Sequence, residues 1–434
     1  LRGSPTLNEQ LPPTAASLLR FNDNAGVREG ITRLTDFSNS LTPTLQSLAR
    51  HTLRFDQAYT SGPWTSPGIV SLLTGDDALS HGVWYEWSVP RPNRPTLPGL
   101  LAQAGFRVPN LCYLNRVGNY QNLGYDPAAA PGYPTGPDDD LLLQALRGLA
   151  APDAAPSPWF AWYHYKYVHL PYWPAPAYRR LLSVDEDRLP ERLRESVCKL
   201  FVVPRSQHPL LPEDRDAVQR LYAANVRQMD DFLARVLSTL DATGQREHTT
   251  IVLTADHGDE LLEHGHVGHA STAHFATLYE ELLRIPLLVI DPRIDGPQRS
   301  SARVQLQDLM PTLLSLAGVS TAGCPGDAVD LSPLVRSAMG VGPAQALPPS
   351  LGPQRALRFH SSRMGYQTAR RYEGQQVLGF SQGNMKYICE QFDAERRLLF
   401  DLARDPQEQQ PLTAGPDVDA AHARLRELCP ELAR

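Results

Sequence analysis

Apolar and polar positions alternate in blocks along this chain, and the blocks read as strands and helices in turn. Thr42-Pro43 precedes Leu45, Leu48 and Ala49, a helix start with Thr42 as cap and Pro43 in the first turn. Residues 53–59 alternate like a strand. Ser66-Pro67 opens a second helix through Ile69, Val70, Leu72 and Leu73, closed by Gly75. The pattern predicts a third helix over 96–104, then a strand over 106–112. It continues with a helix over 138–149 and an aromatic-rich strand over 159–165. Residues 173–213, rich in Pro and Arg, read as an excursion from the sheet. A long amphipathic helix follows over 214–240. The runs 249–254 and 285–290 are short and apolar, as buried strands should be, and a helix is predicted near 308–317.

This alternation implies an α/β fold with a mostly parallel central sheet flanked by helices. Residues 320–356 have the composition of a linker. After them come short strand-like runs over 358–402 and a final helix over 418–428. Two domains are expected, 1–345 and a small C-terminal α+β domain over 346–434.

Composition narrows the classes. Of the 434 residues, 42% are apolar and 20% charged, an ordinary globular balance. A formal charge of −6 without a basic run gives nucleic acid no electrostatic footprint. No stretch reaches the about 18 consecutive apolar residues of a membrane span. Five scattered cysteines without CxxC spacing form neither a disulfide framework nor a zinc motif.

The densest chemistry lies at Thr254-Ala255-Asp256-His257-Gly258-Asp259-Glu260, followed by Glu263-His264-Gly265-His266, His269 and His274. Asp256 and His257 directly follow a short apolar strand, so both belong to its carboxyl end, where open α/β sheets bind ligands. Their oxygen and nitrogen atoms suit Zn²⁺ or Mn²⁺, and a more oxygen-rich set suits Mg²⁺ or Ca²⁺. The bland alternative is a solvated, His-rich loop. The second signal is Thr65-Ser66-Pro67-Gly68, at the start of a helix. A hydroxyl there is usually an N-cap, and on spacing alone that is the simpler reading. The same geometry aims free N–H groups at an anion, and Thr65 becomes a nucleophile if a metal lowers its pKa.

In order and spacing, these segments resemble the sulfatase-like branch of the alkaline phosphatase superfamily. Thr42 to Ala49 is similar to that family's TPNLDRLA segment. Thr65-x-Pro67, Leu72-Leu73-Thr74-Gly75 and His81-Gly82-Val83 resemble its nucleophile motif and the landmarks after it. Thr254 to Gly265 with Leu278-Tyr279-Glu280-Glu281 and Arg284-Ile285-Pro286 resembles its metal motif. Lys386-Tyr387-Ile388, Leu399-Phe400-Asp401-Leu402 and Asp405-Pro406-Gln407-Glu408 are similar to its C-terminal region. The resemblance implies an alkaline-phosphatase-like fold. It also implies a divalent cation on Asp256, His257 and Thr65, with Thr65 as nucleophile. Lys166, His169 and His274 would hold the substrate anion, with His169 and His274 also catalytic. His274 stands where sulfatases usually carry Lys. Plain alternatives remain for His169 as a packed histidine and for Lys166 as an edge-strand lysine, and Lys386 in the C-terminal region reads as structural.

The departures matter as much. Sulfatases place Cys or Ser at the position of Thr65 and oxidise it to formylglycine, with Arg where this chain has Ile69. Thr cannot yield that aldehyde, so no formylglycine is expected and phosphoryl transfer is favoured over sulfate hydrolysis. Leu1-Arg2 resembles the end of an Asp-x-Leu-Arg-x-Asp motif, which implies a first strand and a metal-binding Asp upstream of residue 1. A signal or anchor further upstream would make the protein periplasmic, extracellular or membrane-anchored; the expected substrate is a small-molecule, glycan or lipid ester. The rival classes are a sulfuric ester hydrolase and an inactive relative that keeps the fold for binding.

Overall fold

The alternating run at 53–59 becomes β1 (Thr52–Tyr59), the middle strand of the main sheet. In the computed structural model, residues 41–85, 87–133, 136, 140–150, 157–199, 209–270, 275–341 and 346–430 are described. After β1 come β2 (Ile251–Thr254), a hairpin of β3 (Glu260–Leu261) and β4 (Val267–Gly268), then β5 (Arg284–Ile285), β6 (Leu287–Ile290) and β7 (Gln298–Gln305). β5 and β6 are one extended segment interrupted at Pro286, which has no N–H to give to a ladder. This segment lies antiparallel along one edge of β1, pairing Leu53 with Val289 and Ala58 with Ile285. β7 lies parallel along the other edge, and β2 pairs antiparallel with β6. Hence β1, β2 and β7 run one way and only the β5–β6 segment opposes them.

Helices cover the sheet where their apolar faces find it. α1 (Thr65–Thr74) is buried along its length, with Val70 and Leu73 fully enclosed against Phe55, Ile285 and Val304. Gly75 closes it in the left-handed conformation at φ 74°, as its position after the apolar run predicts. The predicted helix over 214–240 is α2 (Arg215–Ala242). One sequence reading is corrected at residues 43–47: Thr42 makes no side-chain cap. The carboxylate of Asp230, from α2, accepts the N–H groups of Thr44 and Leu45 at 2.8 and 2.9 Å instead. Two further helices matter below, α3 (Glu280–Leu283) and α4 (Leu309–Leu316).

The strands expected over 106–112 and 159–165 are reduced to a single parallel bridge between Arg107 and Trp159. The reason lies beside them. Among the described residues, β2 pairs on one edge only, and its four residues are half-buried although they read as a core strand. Between its open edge and residues 159–165 lies a cavity of about 780 Å³, lined mostly by apolar side chains such as Trp159, Phe160, Val252 and Leu313. Residues 159–165 therefore have no neighbouring backbone to pair with on that side.

The C-terminal region forms an antiparallel sheet in the order β11-β10-β9-β8. Its strands are β8 (Leu357–Ser362), β9 (Gln376–Gln382), β10 (Met385–Gln391) and β11 (Glu395–Asp401). α5 (Pro416–Leu428) packs Val418, Ala421 and Leu425 on one of its faces. On the other side, Phe359, Val377 and Phe400 share a core with Tyr59, Trp64 and Leu283. The boundary expected at 345 falls at 342–345, outside the described residues.

Candidate active site

Two chain reversals bring the candidate residues together. β2 ends at Thr254, and the chain runs on through Asp256 and His257 at the carboxyl end of the strand. α1 begins beside them because Gly68 lies directly against the Asp256 backbone. A Cβ on Gly68 would sit 2.2 Å from the Asp256 carbonyl oxygen, so only glycine permits this approach. Trp64, at the N-cap, is anchored by its indole N–H donating to Ser361 Oγ at 3.1 Å.

Thr65 is the first residue inside the helix, and Trp64 holds the cap position without a side-chain cap bond. The cap reading of Thr65 is thus replaced by a tertiary contact. Its Oγ1 lies 3.2 Å from His257 Nε2. His257 Nδ1 lies 2.8 Å from the Gly258 carbonyl, which accepts the Nδ1 proton and leaves the Nε2 lone pair facing Thr65. His257 Nε2 is also 3.4 Å from Asp256 Oδ2. Thr65, Asp256 and His257 therefore converge.

Around them stand three further histidines. His164 Nε2 is 3.8 Å from Asp256 Oδ2, and its Nδ1 is 3.0 Å from the Tyr113 hydroxyl. The His169 ring centre is 6.4 Å from that of His257 and 4.7 Å from that of His269. His269 is itself 4.2 Å from His257 by ring centres, and its Nδ1 bonds Asp259 Oδ1 at 2.6 Å. The Tyr172 hydroxyl donates to the other Asp259 oxygen at 2.8 Å, so the carboxylate is held from both sides. Lys166 lines the same cavity, but its Nζ sits 3.4 Å over the Tyr133 ring. His274 lies outside the described residues.

The electrostatics follow from burial. Burial pushes the Asp256 carboxyl upward, yet neighbouring His257 and His164 hold it below the usual carboxylate range. Burial lowers His164 and His169, so both are neutral imidazoles near pH 7. Asp259 is raised, again mainly by burial. Asp256 Oδ2 has no hydrogen-bond partner, an orphan acceptor of the kind a cation satisfies. Ligand atoms of His257, Asp259 and His269 lie within 4.8 Å of one another. These imidazole and carboxylate donors fit a divalent cation.

Three participants were not assigned from sequence: His164, Asp259 and His269. His164 had a signal, since strand alternation puts it on the same face as Lys166. Asp259 and His269 stood in the His-rich run, but only the fold shows that Asp259 orients His269.

Residues 26–319 match the family described as Sulfatase. The chain belongs to the sulfatase family. Its relatives are distant. A choline-sulfatase of Rhizobium meliloti is 25% identical over 88% of this chain and 81% of its own length. Arylsulfatase K of Xenopus laevis is 29% identical over 46% of this chain, and the match spans about a third of that protein (34%). Among solved structures, a complex with the substrate D-glucosamine-2-N,6-O-disulfate has a TM-score of 0.66 at 20% identity, covering 90% of this chain and 92% of the other. The phosphonate monoester hydrolase of Agrobacterium radiobacter has a TM-score of 0.65 at 18% identity, covering 90% of each chain. The sulfatase-family fold therefore extends over most of the chain, and among the described residues no helix is long and apolar enough to cross a membrane.

Proposed function

We propose that this sulfatase-family enzyme transfers or hydrolyses a phosphate ester of a small molecule, glycan or lipid, with Thr65 as nucleophile. The observation that carries the proposal is the contact between Thr65 Oγ1 and His257 Nε2 at the first residue of α1. The Thr65 hydroxyl donates its proton to His257 Nε2 as Oγ1 attacks phosphorus, and the bond to the departing ester oxygen breaks. The free N–H groups at the start of α1 stabilise the non-bridging oxygens. The departing oxygen takes the Nε2 proton of His269 in its imidazolium form, which the Asp259 carboxylate balances and, with Tyr172, holds in place. Neutral His169 contributes a hydrogen bond, not a positive charge. Water or an acceptor alcohol then attacks phosphorus and gives its proton to His269, while the bond to Thr65 Oγ1 breaks and Oγ1 recovers its proton from His257, completing hydrolysis or transfer.

A divalent cation held by Asp256 and His257 Nε2 would take over that proton-accepting role: it would favour a Thr65 hydroxyl already ionised, its proton lost to water, and would supply Lewis acidity toward the ester oxygens. Those two residues alone make a sparse ligand set. A strand laid parallel along the open edge of β2 would end beside Asp256, and the 780 Å³ cavity supports such an addition. We propose that this slot takes the strand implied by the resemblance at Leu1-Arg2, with a carboxylate at its end.

Phosphorus is favoured over sulfur on chemical grounds. A formylglycine hydrate expels sulfate by collapsing to the aldehyde, whereas a threonine sulfate ester lacks that exit. The second reading, a sulfuric ester hydrolase, is supported by the family and by the choline-sulfatase relative. Rates on a matched aryl phosphodiester and aryl sulfate with Mn²⁺ or Zn²⁺ separate the two. The phosphodiester is expected to react faster, with Thr65→Ala losing nearly all turnover and Thr65→Ser keeping part of it. Faster sulfate cleavage that survives in Thr65→Ala would overturn both the substrate class and the nucleophile.

A further inference from the structure

The β3–β4 hairpin joins Asp259, just before it, to His269, just after it. Its tip carries His264, which meets Glu281 of α3 and Glu408 from the segment after β11. None of these three has a part in the proposed reaction. Side-chain exposure is 9% for His264, 1% for Glu281 and 0% for Glu408.

Neighbouring carboxylates are well supplied. Glu280 accepts a hydrogen bond from the Tyr59 hydroxyl at 3.2 Å and faces Lys386 Nζ at 3.2 Å. Glu408 accepts the Glu280 N–H at 2.6 Å through Oε2 and faces Lys386 Nζ at 2.8 Å through Oε1. Arg215 pairs with Glu263 at 3.4 Å, and Glu260 accepts the Thr277 hydroxyl at 2.7 Å. Glu281 Oε2 has no hydrogen-bond partner, nor has His264 Nε2, 3.5 Å away, and Glu408 Oε1 has only its ion pair with Lys386. Lys386 brings one positive charge to Glu280, Glu281 and Glu408, so that with all three ionised the cluster is two positive charges short, which one dication would supply.

We propose that His264 Nε2, Glu281 and Glu408 form a second divalent-cation site, separate from Asp256 and His257. Its ion ties the hairpin tip to α3 and to the C-terminal segment. One imidazole and two carboxylates at a buried position suit Zn²⁺ or Mn²⁺ better than Ca²⁺, which wants six or more oxygens. Burial lowers His264 to about 4, which keeps its ring neutral and able to ligate. Burial, with Glu408 and Glu263 nearby, pushes Glu281 well up, a cost that a bound cation removes. With the ion on Nε2, the Nδ1 proton needs an acceptor. Gln409 Nε2 now lies 3.4 Å from Nδ1, and a turn of that amide presents its oxygen.

The test uses the full chain with Asp256→Ala and His257→Ala, which disables the first site. After incubation with Zn²⁺ and dialysis, native mass spectrometry counts bound metal. One ion per chain is expected to remain, and adding Glu281→Gln or His264→Gln should remove it. Zn²⁺ should also raise the thermal midpoint of the parent but not of the Glu281→Gln form. Circular dichroism checks folding, and if Glu281→Gln does not fold, His264→Gln and Glu408→Gln decide the result. No retained ion in the parent, or retention unaffected by these substitutions, overturns the proposal and leaves a His264–Glu281 pair sharing a proton.

Discussion

At the residue scale, the site depends on a few contacts that cross large sequence distances. Gly68 is the sharpest case, because its missing side chain lets α1 reach Asp256. Gly68→Ala should cost about 1–3 kcal/mol by overpacking. Displacing Thr65 from His257 should also lower kcat by about 10²-fold. Denaturant titration and steady-state kinetics check the two effects, and an unchanged kcat would mean that the close approach does not position the nucleophile. Much of this cluster was legible in sequence. Asp256 and His257 follow an apolar strand, and Thr65 precedes an apolar helical run. The partners that orient them were not legible. Tyr172 and Asp259 lie 87 positions apart, and nothing local marks Tyr172 as the donor to that carboxylate.

Helices and strands add their own constraints. Asp230 is fully buried and closes the start of the 43–47 helix through two backbone N–H groups. Asp230→Ala should therefore cost about 1–2 kcal/mol, measured as a shift in the denaturation midpoint, whereas Thr42→Ala should cost far less. Local spacing pointed to Thr42, because a sequence window cannot contain a residue 186 positions away. β8 carries a second testable group. His360 is buried against Trp84, ring centres 4.0 Å apart, and burial lowers it to about 4. The unfolded chain binds a proton at His360 below about pH 6.5, while the folded chain does not until about 4. Its contribution is thus fully present above about pH 6.5 and is lost as pH falls from there toward 4. His360→Gln should flatten that acid limb by up to about 1.4 kcal/mol per pH unit. Parallel curves for wild type and variant would show that His360 is not the titrating group.

For the molecule as a whole, strand–helix alternation was enough to anticipate the α/β class and short strands over 358–402 before a final helix, but not the pairing order of either sheet. It overestimated pairing at residues 106–112 and 159–165, where an apolar run has no adjacent backbone to bond. The same cavity bears on function, because its wall continues from β2 to Asp256 and His257. A chain extended at its N-terminus by an apolar strand ending in Asp should bind Mn²⁺ or Zn²⁺ more tightly at Asp256 and His257. Calorimetry on both chains, each carrying Glu281→Gln so that only this site is read, checks it. Equal affinities would detach the cavity from the metal site.

The central claim, Thr65 as the group that takes up the phosphoryl, is open to direct capture. An aryl phosphodiester turned over with Mn²⁺ or Zn²⁺ can be quenched in acid within one turnover, and the protein digested and sequenced by mass spectrometry. A phosphoryl adduct on Thr65, absent from Thr65→Ala, is expected. Full turnover with no adduct on Thr65, at a rate that Thr65→Ala retains, would contradict it.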